Sequence, residues 1–318
     1  MRLLVTGGAG YIGGAFIRAA RDAGHEPVVL DNLSTGHRDA VPADIELHAG
    51  DIRQRDLLDK LLKRCDAVVH FAALSIVGDS VADPVGYYRE NLGSFLALLE
   101  ALRESPVRKL IFSSSAAVYG HGEGRPFREE DPCRPVNPYG GTKLAMEQTL
   151  EHVAPALGLD WMALRYFNAA GSVAGHGERH DPETHLIPLA LRALVSGEPL
   201  KIFGNDYDTP DGSCVRDYIH IEDLASAHLR ALERLGGDFR TALNLGSGRG
   251  YSVLEVLEMA EKVAGRPVPA VQAPRRQGDP DFLVAAVDKA RSLLDWRSEK
   301  SDLEGILQSA WEFHEKNH

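Results

Sequence analysis

Thr6-Gly7-Gly8-Ala9-Gly10-Tyr11-Ile12-Gly13 follows directly on the apolar run Leu3-Leu4-Val5 and leads into helical spacing from Ile12 to Ala23. A strand that breaks into glycines and then into a helix decides the fold. Glycines 7, 10 and 13 let the chain turn tightly, bring bare backbone N–H groups against a pyrophosphate and let the helix pack close to the strand, while the helix N-terminus adds partial positive charge. The next apolar run, Val28 to Leu30, ends at Asp31, 18 residues past Gly13. A carboxylate there accepts hydrogen bonds from adenosine ribose hydroxyls and repels a 2′-phosphate, so the pattern predicts NAD in preference to NADP.

Working outward, strand-sized apolar runs recur at Leu3 to Thr6, Val28 to Leu30, Ile45 to His48, Ala67 to Phe71, Leu110 to Phe112 and Met162 to Leu164. Helical spacing fills Ile12 to Ala23, Arg55 to Leu62, Tyr87 to Leu102 and Tyr139 to Leu157 between them. Strands alternating with crossover helices pair in parallel, and unalternating apolar runs fit strands buried on both faces. The expected fold class is α/β, a doubly wound parallel sheet of Rossmann type with a smaller C-terminal α+β domain. The boundary is expected after residue 166, where glycines 171, 175 and 177 change the texture, and part of the chain near 215–250 is expected to pack back on the first domain. Later elements are expected at Leu186 to Ser196, Lys201 to Phe203, Val215 to His220, Glu222 to Leu235 and Leu254 to Ala264, with capping boxes at Ser252/Glu255 and Ser301/Glu304.

Composition limits the function. The chain has 318 residues, 44% hydrophobic and 25% charged, the balance of a folded soluble protein. Its 35 basic against 46 acidic residues, a net charge of -11, argue against nucleic acid as a partner. No apolar run approaches bilayer length, and Met1 leads straight into the first strand, so no membrane span is expected. Three scattered cysteines, Cys65, Cys133 and Cys214, fit a reducing compartment, and the cytoplasm is the expected location.

Ser113-Ser114-Ser115 ends a central strand, and Asn137-Pro138-Tyr139 opens a helix on which Lys143 lies four residues past Tyr139, on the same face. A nearby ammonium and a positive nicotinamide both favour the phenolate, which would make Tyr139 a usable acid/base with Ser115 sharing its proton. Asp51-Ile52 and Phe71-Ala72-Ala73 close the third and fourth strands, at the sheet edge where such folds present a ligand.

With these residues in hand, the sequence resembles the extended short-chain dehydrogenase/reductases, and within them the UDP-glucose 4-epimerases (UDP-galactose 4-epimerases). The resemblance runs along essentially the whole chain, through TGGAGYIG at 6–13, LDNLSTGHR at 30–38, GDIR at 50–53, HFAALSIVGDS at 70–80, FSSSAAVYG at 112–120, NPYGGTK at 137–143, RYFNAAG at 165–171, HDPETHLIP at 180–188, IFGNDYDTPDGSCVRDYIH at 202–220, LNLGSG at 243–248 and APRRQGD at 273–279. It implies a catalytic Tyr139 with Ser115 and Lys143. It implies NAD contacts at Gly7, Gly10, Tyr11, Ile12, Gly13, Asp31, Asn32, Leu33, Ser34, Thr35, Gly36, Asp51, Ile52, Phe71, Ala72, Ala73, Ser75, Asn91, Ser115, Tyr139, Lys143 and Phe167. Around a UDP-hexose it implies Ser115, Tyr139, Asn168, His185, Leu186, Lys201, Ile202, Phe203, Arg216, Arg276, Asp279 and Leu283. Arg216 and Arg276 suit the diphosphate, since a guanidinium offers paired donors at fixed charge.

The implied reaction is reversible C4 epimerisation of a UDP-hexose through a 4-keto sugar, by a homodimer. Another UDP-sugar as substrate, a 4,6-dehydratase and a non-catalytic NAD sensor are the alternatives. Ser75 stands where some members have lysine, the loop from Ser172 to Glu178 is short, and Leu283 stands where the family varies between tyrosine and small residues. His176 and His180 flank Glu178, but the glycines and Asp181-Pro182 argue against a helix to align them, and no metal is expected.

Overall fold

The computed structural model describes residues 1–276 and 279–317. In the first half, β1 (Arg2–Thr6), α1 (Tyr11–Asp22), β2 (Glu26–Asp31), β3 (Glu46–Ala49), α2 (Arg55–Leu62) and β4 (Ala67–His70) follow in turn. Then come α3 (Val77–Ala82), α4 (Pro84–Tyr87), α5 (Ser94–Glu104), β5 (Lys109–Ser115), α6 (Pro138–Leu157) and β6 (Asp160–Tyr166). Alternation along β1 explains how the sheet is covered on both sides. Leu3 and Val5 join Phe16, Ile17 and Ala20 of α1, whereas Leu4 joins Leu58 of α2, Leu98 of α5 and Met146 of α6 on the other face.

One expected helix differs in detail. The helix expected from Tyr87 to Leu102 is present but longer and locally wider: α4, ending at Tyr87, passes through a π-turn at Tyr88–Gly93 directly into α5 from Ser94, with helical backbone throughout. Asp83 caps α4 by accepting from the Gly86 N–H at 2.9 Å, with Pro84 at the first helical position, so the helix starts earlier than apolar spacing implies. The π-turn turns Asn91 inward, where its carboxamide accepts from Leu74 N–H at 2.8 Å and donates to Leu74 C=O and Thr142 Oγ1, each at 3.0 Å. Hydrophobic periodicity cannot register a polar side chain that is buried for its hydrogen bonds.

The second half supplies β7 (Asn168–Ala170), α7 (Leu186–Ser196), β8 (Leu200–Phe203), β9 (Val215–His220), α8 (Ile221–Arg234) and β10 (Arg240–Leu245). It ends with β11 (Gly250–Ser252), α9 (Val253–Ala264), β12 (Ala270–Ala273), β13 (Phe282–Leu283), α10 (Asp288–Leu294) and α11 (Leu303–Asn317). The main sheet runs β3-β2-β1-β4-β5-β6-β10 with every pairing parallel. Its strand order reverses between β1 and β4, the place where a doubly wound sheet opens a ligand crevice. Strand β10 and helix α8 come from beyond residue 166, and Leu224, Ala227 and Ala231 of α8 pack into the same core as α1. A separate core joins α7, α9 and α11 through Leu191, Leu194, Val256, Ala260, Ile306 and Leu307. Strand β9 carries the small sheet, pairing with β7, β11 and β13.

The Ser252/Glu255 capping box forms as expected. Ser301/Glu304 does not: Ser301 Oγ donates to Asp223 and accepts from His220 N–H, Asp302 caps the helix by accepting from Gly305 N–H at 2.8 Å, and Glu304 pairs with Lys262. The tertiary partners outcompete the local motif. Among the described residues, no helix is long and apolar enough to cross a membrane.

Buried histidines set an acid limit on this fold. Burial lowers His70 to about 3 and His176 and His228 to about 4, so each stays neutral in the folded protein while its unfolded counterpart takes a proton near 6.5. The unfolded state therefore binds more protons below that pH, and stability falls as pH drops from 6.5 toward 4. Asp217, raised to about 6 by burial, and His185, raised to about 10 beside Glu178 and Glu183, work in the opposite sense but are two groups against three, and His185 acts only near the top of the window. Thermal melts in one buffer series are expected to show Tm falling steadily between pH 6.5 and 5; a flat or rising Tm would contradict this balance.

Candidate active site

A single cleft of about 1160 Å³ runs along the carboxyl edge of the main sheet and continues between it and the small sheet. That exceeds the usual 300–1,000 Å³ of a one-ligand pocket and leaves space for a dinucleotide and a second ligand. Every sequence-implied site residue lines it except Leu33. Leu33 has φ +58° and turns its side chain into the core beside α1, while its N–H donates to Asp31 Oδ1 at 2.8 Å. It fixes the acid rather than facing the cleft.

The glycine turn is required sterically. A Cβ on Gly7, which has φ +73°, would lie 2.5 Å from Ala72 N, and one on Gly13 would lie 2.2 Å from Gly7 O. Gly10 caps α1 and lines the cleft, so the helix N-terminus meets whatever binds there. Asp31 ends β2 with Oδ2 accepting from Ala9 N–H at 2.9 Å, which holds its carboxylate at the edge with lone pairs left over for ribose hydroxyls. These features fit a dinucleotide. Asp51, by contrast, is forked by Arg53 at 2.7 and 2.8 Å, so its oxygens are largely engaged within the protein. Asn91 lines the cleft but spends its carboxamide on Leu74 and Thr142.

Ser115 sits at the end of β5, and Tyr139 lies in the first turn of α6, whose start is set by Asn137 accepting from Gly140 N–H at 2.8 Å and by Pro138. Lys143 is 2% exposed; its Nζ donates to Ser113 C=O at 2.7 Å and stands 5.8 Å from the Tyr139 ring centre. Burial pushes the Tyr139 phenol up, with a hydrogen bond to Ser115 acting against it, and lowers Lys143 to about 7, with Glu147 acting against that. The ammonium alone therefore does not lower the phenol as the sequence reading expects. Desolvation is the largest influence on the phenol, and a positive charge bound over the site would act in the opposite direction.

Across the cleft, Arg216 pairs with Asp279 at 2.5 Å, and Arg276 lies over the Phe203 ring at 4.0 Å. Leu283 is opposite Arg216 in the β13–β9 register, and Asn168 donates to Asp217 C=O at 2.9 Å. Ile202 is half-buried beside an exposed Lys201.

Residues 171–185 form a strap over the glycine turn. Tyr11 OH donates to Gly171 C=O at 2.6 Å, His176 Nε2 bonds Tyr11 C=O at 2.7 Å, and Arg179 forks onto Asp39 at 2.7 and 2.9 Å. His176 thus does not join His180. Glu178 instead meets His180 Nδ1 at 3.0 Å and His185 Nδ1 at 2.7 Å, with Glu183 2.9 Å from His185. Burial pushes both groups toward their neutral forms, but the imidazoles still hold Glu178 at about 2 and the two carboxylates still raise His185 to about 10. Sequence reading missed Glu178, Glu183 and Arg179 as cleft and strap residues; the one signal was the alternation of acids and histidines over 178–185.

Residues 3–246 match the NAD dependent epimerase/dehydratase family. The UDP-glucose 4-epimerase of Lacticaseibacillus casei is 45% identical over 100% of this chain and 98% of its own length. Among solved structures, the UDP-glucose 4-epimerase from Brucella ovis in complex with NAD is 44% identical with TM-score 0.94, covering 98% of this chain and 97% of that one. The Bifidobacterium longum UDP-glucose 4-epimerase in complex with NAD+ and UDP is 37% identical with TM-score 0.94, covering 100% and 99%. Glycine turn, Asp31, the Ser115-Tyr139-Lys143 group and these likenesses agree, and the chain belongs to the NAD-dependent epimerase/dehydratase family, as an enzyme similar throughout its length to UDP-glucose 4-epimerases.

Proposed function

We propose that the protein interconverts UDP-galactose and UDP-glucose by transient oxidation at C4 of the hexose. The observation that carries this reading is one cleft that joins a Ser115-Tyr139-Lys143 group to two arginines, Arg216 and Arg276, on the far wall. Bound NAD supplies the acceptor and donor of the C4 hydride. Tyr139, as phenolate, takes the 4-hydroxyl proton and returns it, with Ser115 sharing it in transit. Lys143 offers its ammonium to the nicotinamide ribose. Arg216 and Arg276 hold the diphosphate with charge-assisted hydrogen bonds. With UDP held firmly and the hexose loosely, the 4-keto sugar can turn about its link to UDP and present its other face. Binding energy placed on UDP serves this better than energy placed on the sugar.

Support against a 4,6-dehydratase comes from Ala116 and Ala117, which stand beside Ser115 where an acidic pair would be needed to eliminate water. The test is incubation with UDP-galactose and no added cofactor, followed by separation of the product sugars. Formation of UDP-glucose at a fixed equilibrium ratio, with NAD recovered from the heat-denatured protein, is expected; no interconversion would overturn the reading.

Leu283 tunes breadth. It is larger than serine and smaller than tyrosine, so weak activity on UDP-N-acetylhexosamines is expected beside the main reaction. Leu283→Ser is expected to raise the acetamido-to-hexose rate ratio by about tenfold and Leu283→Tyr to lower it similarly, the range that one small pocket change commands. If competition assays show neither change, the acetamido group lies elsewhere.

A homodimer is part of the same reading. Val85, 73% exposed, lies with exposed Tyr88 and Leu96 along α4, the π-turn and α5, an apolar face suited to a second copy. A monomeric mass in light scattering at micromolar concentration would exclude it. Three free thiols, Cys65, Cys133 and Cys214, suit the cytoplasm as its location.

A further inference from the structure

Glu147 follows Lys143 by four residues, so the two side chains leave the same face of α6, and they are 4% and 2% exposed. Unlike Lys143, Glu147 does not line the cleft. Its carboxylate is fixed from behind: Arg165 of β6 donates Nε to Oε1 at 3.1 Å and Nη2 to Oε2 at 2.7 Å, and Ser114 Oγ of β5 donates to Oε1. Arg165 also donates to Tyr119 OH at 2.8 Å and Glu129 C=O at 3.2 Å, and Tyr119 OH donates to Asn244 Oδ1 at 2.6 Å. The network ties α6 to the strand that presents Ser113, Ser114 and Ser115, to its neighbour β6 and, beyond that, to β10. A buried ion pair is a weak source of stability, because desolvating both charges offsets their attraction. Its place directly behind the catalytic lysine gives it another role.

The geometry points to Glu147 as a positioning residue that acts through Lys143: held by Arg165 and Ser114, its carboxylate keeps the lysine charged and directed at Ser113 C=O and the cleft. This rests on the proposed function only for its activity readout. Among the described residues, the other titratable groups nearby are Tyr139 on its own helix, His70 from β4, and Tyr166 of β6, which lies against Ser113 and Tyr139. His70 is bonded through Nδ1 to Thr6 Oγ1 at 2.7 Å and is neutral, and the two phenols are pushed up by burial. None of these offers the lysine a negative charge. Burial takes Lys143 down, and Glu147 is the group that acts against it.

The experiment compares wild-type holoenzyme with Glu147→Gln, Glu147→Asp and the double variant Glu147→Gln/Arg165→Gln, measuring kcat and KM for UDP-galactose from pH 6 to 10. In Glu147→Gln the alkaline limb of kcat, where Lys143 loses its proton, is expected to move acidward by about one pH unit, a tenfold lower kcat on that limb, with KM within about twofold. Glu147→Asp, which keeps the charge, is expected to restore most of the limb. Should Glu147→Gln fail to fold because Arg165 is left unpaired, the double variant removes both charges, and its limb must move in the same direction. A purely structural role would lower Tm and scale kcat equally at every pH; coincident limbs would overturn the inference. Lys143 is followed independently by NMR of 13Cε-labelled lysine, its signal assigned by loss in Lys143→Met. If wild type does not epimerise UDP-galactose, the proposed function fails, while the Lys143 midpoint in Glu147→Gln still decides this inference.

Discussion

Tyr139→Phe is expected to lower kcat for UDP-galactose by about 10³-fold, within the range that a positioned acid/base contributes. The substitution removes one oxygen and keeps the ring, so the first turn of α6, set by Asn137 and Pro138, remains in place. KM should stay within about threefold, because the arginines that hold the diphosphate are on the opposite wall. NAD content, read after heat release, should match wild type, since the glycine turn and Asp31 are untouched. Ser115→Ala is expected to be milder, about tenfold, because it only shares the proton. If Tyr139→Phe kept more than about a tenth of wild-type kcat, another group would be the base.

Arg216→Met is expected to act on binding instead. Arg216 is a half-buried guanidinium whose partner, Asp279, leaves part of its donor set for a ligand. Charge-assisted hydrogen bonds contribute about 1.5–3 kcal/mol each, so losing a forked pair raises KM by about 10²-fold or more. The inhibition constant of free UDP should rise by the same factor, because the lost contact is to the diphosphate and not to the sugar, and kcat should change little. Inhibition assays with UDP check this directly. An unchanged inhibition constant beside a raised KM would place Arg216 on the hexose.

The first half was largely legible because the short apolar runs there, apart from the edge strand β3, are strands buried on both faces, and no other role competes for those residues. The β1–glycine–α1 turn and the start of α6 were readable for the same local reason: glycine, proline and asparagine act through backbone sterics and capping within a few residues. Misreadings arose where a polar side chain finds a distant partner. Ser301 left its capping box for Asp223, and Asn91, in a π-turn within its helix, is buried by bonds to Leu74 and Thr142. Leu33 turned into the core under a positive φ that no spacing rule registers.

By itself the sequence determined the doubly wound sheet, the dinucleotide turn with its acid, and the Tyr139/Lys143 spacing, all of which follow from periodicity and short-range chemistry. Only the tertiary structure decided which elements of the 215–250 stretch return to the first domain, β10 to its sheet and α8 to its core, and that Glu178 is gripped by two imidazoles. It also decided that Lys143 has Glu147, Arg165 and Ser114 at its back. The physical reason is desolvation. Whether a charge is raised, lowered or neutralised depends on which groups share its dry surroundings, and those groups come from strands and helices far apart in the chain.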